Sequence, residues 1–155
     1  MKINIIRISV FIFLIFFIII MFVGLTKNNN YNTKNLVGNE ISEFQLISLN
    51  NNETFFENND LINSQFTLIN FFASWCSPCR LEHKYLIKLK EENKKIKIVG
   101  INFKDKKNNA LSFLKELGNP YEFIAKDSDG SVSVLFGVYG IPESILINNE
   151  QKIIK

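Results

Sequence analysis

One stretch constrains this chain more than any other: Leu68-Ile69-Asn70-Phe71-Phe72-Ala73-Ser74-Trp75-Cys76-Ser77-Pro78-Cys79-Arg80. An apolar segment of strand length, Thr67 to Ala73, runs into it, and a helical pattern leaves it, from Cys76 to about Asn93. Both cysteines of the chain lie at the junction. A strand that feeds a C-x-x-C into the start of a helix is a redox arrangement for physical reasons. The first helical turn has unpaired N–H groups and the positive end of the macrodipole. Sulfur placed there is more easily kept as thiolate, the form that attacks disulfides. The offset of the second cysteine puts its sulfur on the same side one turn on, so the pair can close and reopen with little backbone change. Pro78 suits the first turn, where a missing N–H costs nothing. Two other uses compete. A structural disulfide across so short a ring constrains little chain and stabilises weakly. Zinc wants four ligands, and the chain offers two cysteines and the lone His83; Cu(I) would accept the two sulfurs, with or without His83.

Charge and hydropathy divide the 155 residues. Lys2, Arg7 and Lys27 are positive, and no acid occurs before Glu40. The remaining fifteen basic residues, from Lys34 onward, balance the fifteen acids, so the net charge of +3 belongs to the N-terminal end. The neutral remainder has no electrostatic footprint for nucleic acid, and no nucleic-acid partner is expected. Ile8 to Leu25 is apolar except for Ser9 and Gly24, long enough to span most of a hydrocarbon core as a helix. A secretory signal is the alternative, but no small-x-small cleavage site follows Gly24 and no cysteine is present there for lipid attachment. The expected organisation is a membrane anchor over residues 1–26, an Asn-rich linker over 27–39 and one domain over 40–155. Lys2 and Arg7 place the N-terminus in the cytoplasm and the domain outside it, though Lys27 weakens the contrast. Thiols outside the cytoplasm oxidise unless something keeps them reduced.

Along the domain, Phe44–Leu49 and Glu53–Phe56 flank Asn50-Asn51-Asn52 and read as a hairpin. Thr67–Ala73 and Ile96–Phe103 are apolar enough for central strands covered on both faces. With the cysteine helix between them they form a parallel β-α-β unit. Lys106 to Leu117 is a helix with Ala110, Leu111, Phe113, Leu114 and Leu117 as its apolar set, stopped by Gly118-Asn119-Pro120. A short strand at Phe123–Ala125 and a short helix at Ser131–Phe136 follow, joined by the turn Asp127-Ser128-Asp129-Gly130, which has too few oxygen ligands for a calcium loop. A second hairpin, Ser144–Ile147 with Lys152–Ile154, closes the chain.

The segment Asn70 to His83 resembles the membrane-anchored thiol–disulfide oxidoreductases of cytochrome c maturation, the DsbE or CcmG type. Three more segments agree: Val99-Gly100-Ile101-Asn102-Phe103-Lys104-Asp105, Phe113 to Tyr121, and Gly137-Val138-Tyr139-Gly140-Ile141-Pro142-Glu143-Ser144. The resemblance covers roughly Leu36 to the end. It implies an α/β, thioredoxin-like fold, a central mixed sheet flanked by helices, with an N-terminal transmembrane helix. It implies a single-pass protein of the bacterial inner membrane, with its domain in the periplasm. It implies a redox-active Cys76–Cys79 disulfide, with Cys76 as attacking thiolate and Cys79 as resolving thiol. The implied substrate is the disulfide in the haem-binding C-x-x-C-H motif of apocytochrome c. The implied partners are a membrane electron donor resembling DsbD or CcdA, the cytochrome c maturation machinery and the lipid bilayer. Neither a cofactor nor a metal is expected. A broader envelope thiol reductase and a Cu(I) metallochaperone are the alternatives.

Around the sulfurs, Glu82 is the sharpest signal. At about 100° per residue, Leu81, Tyr85, Leu86 and Leu89 form one apolar arc with Glu82 inside it, and Arg80, Lys84, Lys88 and Glu91 lie opposite. A carboxylate there is costly unless it is paired or takes up a proton, so Glu82 reads as a half-buried acid that tunes the thiols, or as a salt-bridged or snorkelling side chain. Asn70 stands where thioredoxins in general carry a buried Asp. Its amide cannot ionise, so that role is absent or falls to Glu82 or Glu143, and Asn70 otherwise reads as a satisfied buried amide. The resemblance implies a cis peptide before Pro142 that faces the disulfide, and a substrate groove of Trp75, Ile141 and Pro142. Glu143 would contact substrate or tune Cys76, or else be a solvated edge residue. Trp75 is either a lip of the groove or core. His83 borders the charged face and is expected at the surface. The resemblance also implies a helix after the last hairpin, for which nothing remains beyond Lys155, so one sheet face is expected to be partly uncovered.

Overall fold

In the computed structural model, residues 2–26, 37–51 and 53–155 are described, and the chain divides into two compact units, residues 1–32 and 33–155. The first unit contains α1 (Lys2–Thr26). Its stretch Ile6–Gly24, with mean hydropathy 3.0, has the length and composition of a membrane-crossing helix. Most of the expected linker, residues 27–36, lies outside the described residues.

In the second unit the expected hairpin forms as β1 (Gln45–Ser48) and β2 (Phe55–Glu57), paired antiparallel with Leu46 opposite Phe56. A four-residue helix, α2 (Asn59–Ile62), follows; nothing in its Asn-rich sequence signals it. The apolar segment becomes β3 (Phe66–Phe72), and α3 (Ser77–Glu92) begins at the cysteines. Then come β4 (Ile96–Phe103), α4 (Lys107–Leu117), β5 (Phe123–Asp127), α5 (Ser131–Leu135) and β6 (Glu143–Asn148). The sheet is six-stranded and mixed, in the order β2-β1-β5-β4-β3-β6. Strand β3 is central: it runs parallel to β4, with Asn70 opposite Gly100, and antiparallel to β6, with Asn70 opposite Ser144. Beyond β6 the expected second hairpin forms over a short length: Ile147 is bridged to Ile153, and backbone bonds run from Ile154 N–H to the Leu146 carbonyl, from Leu146 N–H to the Lys155 carbonyl and from Asn148 N–H to the Lys152 carbonyl. The same returning segment meets Glu40 at Lys152, and Gly38 donates to the Ile153 carbonyl.

Side chains of a strand alternate between faces, so β3 feeds two cores. Ile69 and Phe71 join Phe44, Leu46, Phe56, Ile101, Phe136 and Ile147 on one face. Phe72 joins Ile98, Phe113, Leu114, Tyr121 and the two cysteines on the other, under α3 and α4. The rotation of α3 corrects the helical arc expected from sequence. Its buried line is Cys79, His83 and Leu86, whereas Leu81 is 70% exposed and Tyr85 is 63% exposed. Burial of the sulfurs fixes which side of the helix faces the sheet, and His83, one turn past Cys79, follows them inward. His83 is 2% exposed, not a surface residue. It packs edge-on against Phe113, and its ring Nε2, 2.8 Å from the Gly118 carbonyl oxygen, acts as the donor. That carbonyl is presented by Gly118 at φ +90, a conformation that favours glycine at the end of α4.

Candidate active site

Cys76 is the N-cap of α3: its backbone is extended, its sulfur accepts from the Cys79 N–H at 3.1 Å, and Pro78 occupies the first turn. The two cysteines are joined in a disulfide, with Sγ–Sγ 2.02 Å and Cα–Cα 5.3 Å. Both are buried, so the sulfurs sit in apolar surroundings at the positive end of a sixteen-residue helix.

The loop ahead of Cys76 is braced from the end of β4. Asp105 accepts from the Ser74 N–H at 2.7 Å and from the Ser74 hydroxyl at 2.9 Å. It also accepts from Asn102 Nδ2 at 3.2 Å and from the Lys106 N–H at 2.7 Å, so one carboxylate ties the cysteine loop to the turn ahead of α4. The Trp75 indole N–H donates to the Lys104 carbonyl at 3.2 Å. Trp75 is 59% exposed; it is not core packing. With Phe103, Val134, Val138, Tyr139 and Ile141 it lines a cavity of about 470 Å³ beside the disulfide loop. The Ile141–Pro142 peptide is cis. Glu143 is exposed, at the start of β6.

A second polar cluster gathers around Asn70. Asn70 is fully buried. Its Nδ2 donates to Glu82 Oε1 and to Ser144 Oγ, each at 3.0 Å, and lies 3.5 Å from the Glu143 carbonyl. Its Oδ1 accepts from the Tyr121 hydroxyl at 2.7 Å. Ser144 Oγ in turn donates to Glu82 Oε1 at 3.4 Å. Glu82 is half-buried, and no cation pairs with it among the described residues. Burial, and then the negative charge of Glu82, push the Tyr121 hydroxyl far above the ordinary tyrosine range, so it stays protonated and acts as the donor. Tyr121, Ser144 and Asp105 escaped the reading of the sequence. For Tyr121 a signal was present: Gly100 in mid-strand, where a glycine marks close approach of another group. For Asp105 the signal was an acid just ahead of a helical pattern.

Residues 36–155 match the family model described as Redoxin. The chain belongs to the redoxin family. Among curated relatives, this redoxin is 42% identical over 113 residues to the thiol:disulfide interchange protein DsbE of Escherichia coli K12, covering 73% of this chain and 60% of that one. It is 50% identical over 93 residues to the thiol:disulfide interchange protein CycY of Rhizobium leguminosarum bv. viciae, covering 60% and 50%. The chain thus spans half to three-fifths of the length of these two relatives. Its fold is similar to that of a secreted Mycobacterium tuberculosis disulfide oxidoreductase homologous to E. coli DsbE, with TM-score 0.62 and 19% identity over 71% of this chain and 79% of that one. The resemblance to the DsbE type read from the four sequence segments is borne out by these matches, as is the thioredoxin-like α/β fold.

Proposed function

We propose that this redoxin is a membrane-anchored, extracytoplasmic thiol–disulfide oxidoreductase that keeps the haem-binding cysteines of apocytochrome c reduced. The observation that carries the reading is the Cys76–Cys79 disulfide at the N-terminus of α3, with the first sulfur in the capping position. In the reduced protein, the Cys76 thiolate attacks one sulfur of the client disulfide. A mixed disulfide forms, and the other client sulfur leaves as thiolate and takes up a proton. Cys79 then loses its proton and attacks Cys76 Sγ. The Cys76–Cys79 bond closes, the client is released as a dithiol, and two electrons have passed to it. A dithiol donor in the membrane, resembling DsbD or CcdA, reverses the last closure. Interaction of the thiolate with the helix terminus is worth about 0.3–2 kcal/mol, the upper end applying to partly buried geometry such as this.

The surrounding residues take roles in this scheme. Trp75, Ile141 and Pro142 form the groove in which an extended client segment lies, pairing with the backbone ahead of Pro142 as an added strand. Glu143, exposed at the groove's end, meets the client. Glu82, one turn beyond Cys79, accepts the Cys79 proton at Oε2, its Oε1 being engaged by Asn70 and Ser144. Helix α1 anchors the protein in the bacterial inner membrane, with the domain in the periplasm and close to the maturation machinery. The test is a trap. In a Cys79→Ala variant the mixed disulfide cannot resolve, so the variant is expected to accumulate covalently joined apocytochrome c. Recovery of a wide spread of other envelope proteins instead would replace this reading with that of a broader reductase.

A further inference from the structure

We infer that Tyr121 and Asn70 are positioning residues for the thiol chemistry: they fix the Glu82 carboxylate through Oε1 and leave Oε2 open for the Cys79 proton. The inference rests on the proposed role of Glu82. Asn70 sits at the centre of β3, and its amide could face either way. Three contacts decide the orientation. The Tyr121 hydroxyl donates at 2.7 Å, so the atom it meets must be the carbonyl oxygen. Both amide hydrogens then point away from Tyr121, to Glu82 Oε1 and Ser144 Oγ at 3.0 Å. Glu82 Oε1 thus accepts from an amide and from a hydroxyl, which fixes the direction of the carboxylate.

Tyr121 reaches Asn70 because β4 lets it. Its ring stacks on Phe72, centroids 4.9 Å apart, and lies across Gly100, the residue opposite Asn70 in the parallel register. A Cβ at position 100 would stand 2.8 Å from Tyr121 Cδ2, 2.9 Å from Cγ and 3.0 Å from Phe72 Cε1. Real side chains do not approach so closely, so the ring would have to move and carry its hydroxyl off Asn70. The glycine, the tyrosine and the asparagine thus form one device. Asn70 from β3 and Ser144 from β6 bond Glu82, and Tyr121, from the segment after α4, reaches it through Asn70; Cys79 lies one turn before it on α3. No lysine or arginine among the described residues pairs with it, so the amide and the hydroxyl are what hold it in place.

The experiment uses the full chain in detergent, reduced and then mixed with glutathione disulfide. Attack by Cys76 releases one glutathione and leaves the other on Cys76; the second, released when Cys79 attacks Cys76 Sγ, is followed against pH. Tyr121→Phe and Gly100→Ala are each expected to slow release several-fold and to change its pH profile. Glu82→Gln, which leaves no carboxylate to take the Cys79 proton, is expected to slow release at least as much. Unfolding curves identify any variant that has lost its fold, and the inference is judged on the other. If Glu82→Gln alters the profile but Tyr121→Phe and Gly100→Ala leave it in place, the positioning role is overturned while the Glu82 role stands. If Glu82→Gln also leaves it in place, both fall, and exchange through Cys76 and Cys79 is untouched. No release from the wild-type protein would overturn the proposed function itself.

Discussion

Two carboxylates flank the disulfide loop, and they are bound in different ways. Asp105 has both oxygens occupied by four donors, two of them backbone N–H groups and all at 2.7–3.2 Å. Glu82 is held at Oε1 alone, and its Oε2 accepts from nothing among the described residues. A carboxylate saturated with donors has no place for a proton and serves as a brace. One that is anchored on a single oxygen can take a proton without losing its position. The difference follows from placement. Asp105 lies where a loop turns into α4 and loose N–H groups are plentiful, whereas Glu82 projects from mid-helix, where the backbone is already paired.

The largest effect that would break this comparison is expected at the brace. Asp105→Asn turns an acceptor facing four donors into a group that is half donor. It is expected to cost about 2–4 kcal/mol in denaturant unfolding of the oxidised protein and to slow client exchange by loosening Ser74 and Trp75. A loss below about 1 kcal/mol would show that the four contacts do not act together. Next comes Tyr121→Phe, expected to cost about 1 kcal/mol at neutral pH. Its sign with pH is fixed by burial. The native state keeps the Tyr121 proton while the unfolded chain releases it above about pH 10, so this group removes about 1.4 kcal/mol of stability per pH unit above that point. The variant is expected to lose that share of the alkaline slope, measured as stability against pH. Glu82→Gln should change stability by less than about 1 kcal/mol, because the amide still accepts at one oxygen, yet alter the titration of the reduced cysteines. A large stability loss with unchanged thiols would make Glu82 a brace like Asp105.

A third carboxylate, fully exposed, sets the floor. Hydrogen bonds from the Ser131 backbone and hydroxyl hold Asp129 below the ordinary carboxylate range at the start of α5. Its contribution is present above the ordinary value and is lost as pH falls through the lower native one. Asp129→Asn is expected to remove only that small part of the acid limb, read from thermal unfolding between about pH 2 and 4.

The brace and the proton site were legible to different degrees. The strand, the cysteines and the following helix declare themselves locally, in one unbroken stretch, and their partners on β4 and α4 follow from apolar runs of the right length. Glu82 was visible as an acid inside the expected apolar arc. Its surroundings were not, because Asn70, Tyr121 and Ser144 come together only when β3 pairs with β6 and α4 returns across β4; their separations along the chain are 51 and 74 residues from Asn70. The rotation of α3 was misjudged for a related reason. Counting apolar side chains favoured Leu81 and Tyr85 as the inner face, but the helix is oriented by where its two sulfurs must sit, and His83 goes inside with them. Helix α2 reads in the sequence only as an Asn-rich turn, since four residues are too few to show a helical period.

The most direct measurement is electron transfer from the reduced chain to an oxidised peptide bearing C-x-x-C-H. The account predicts that one peptide disulfide is reduced for each Cys76–Cys79 disulfide formed, and that Cys76→Ser abolishes the transfer. A pair that stays oxidised in excess dithiothreitol, or a reduced pair that leaves the peptide disulfide intact, would contradict it.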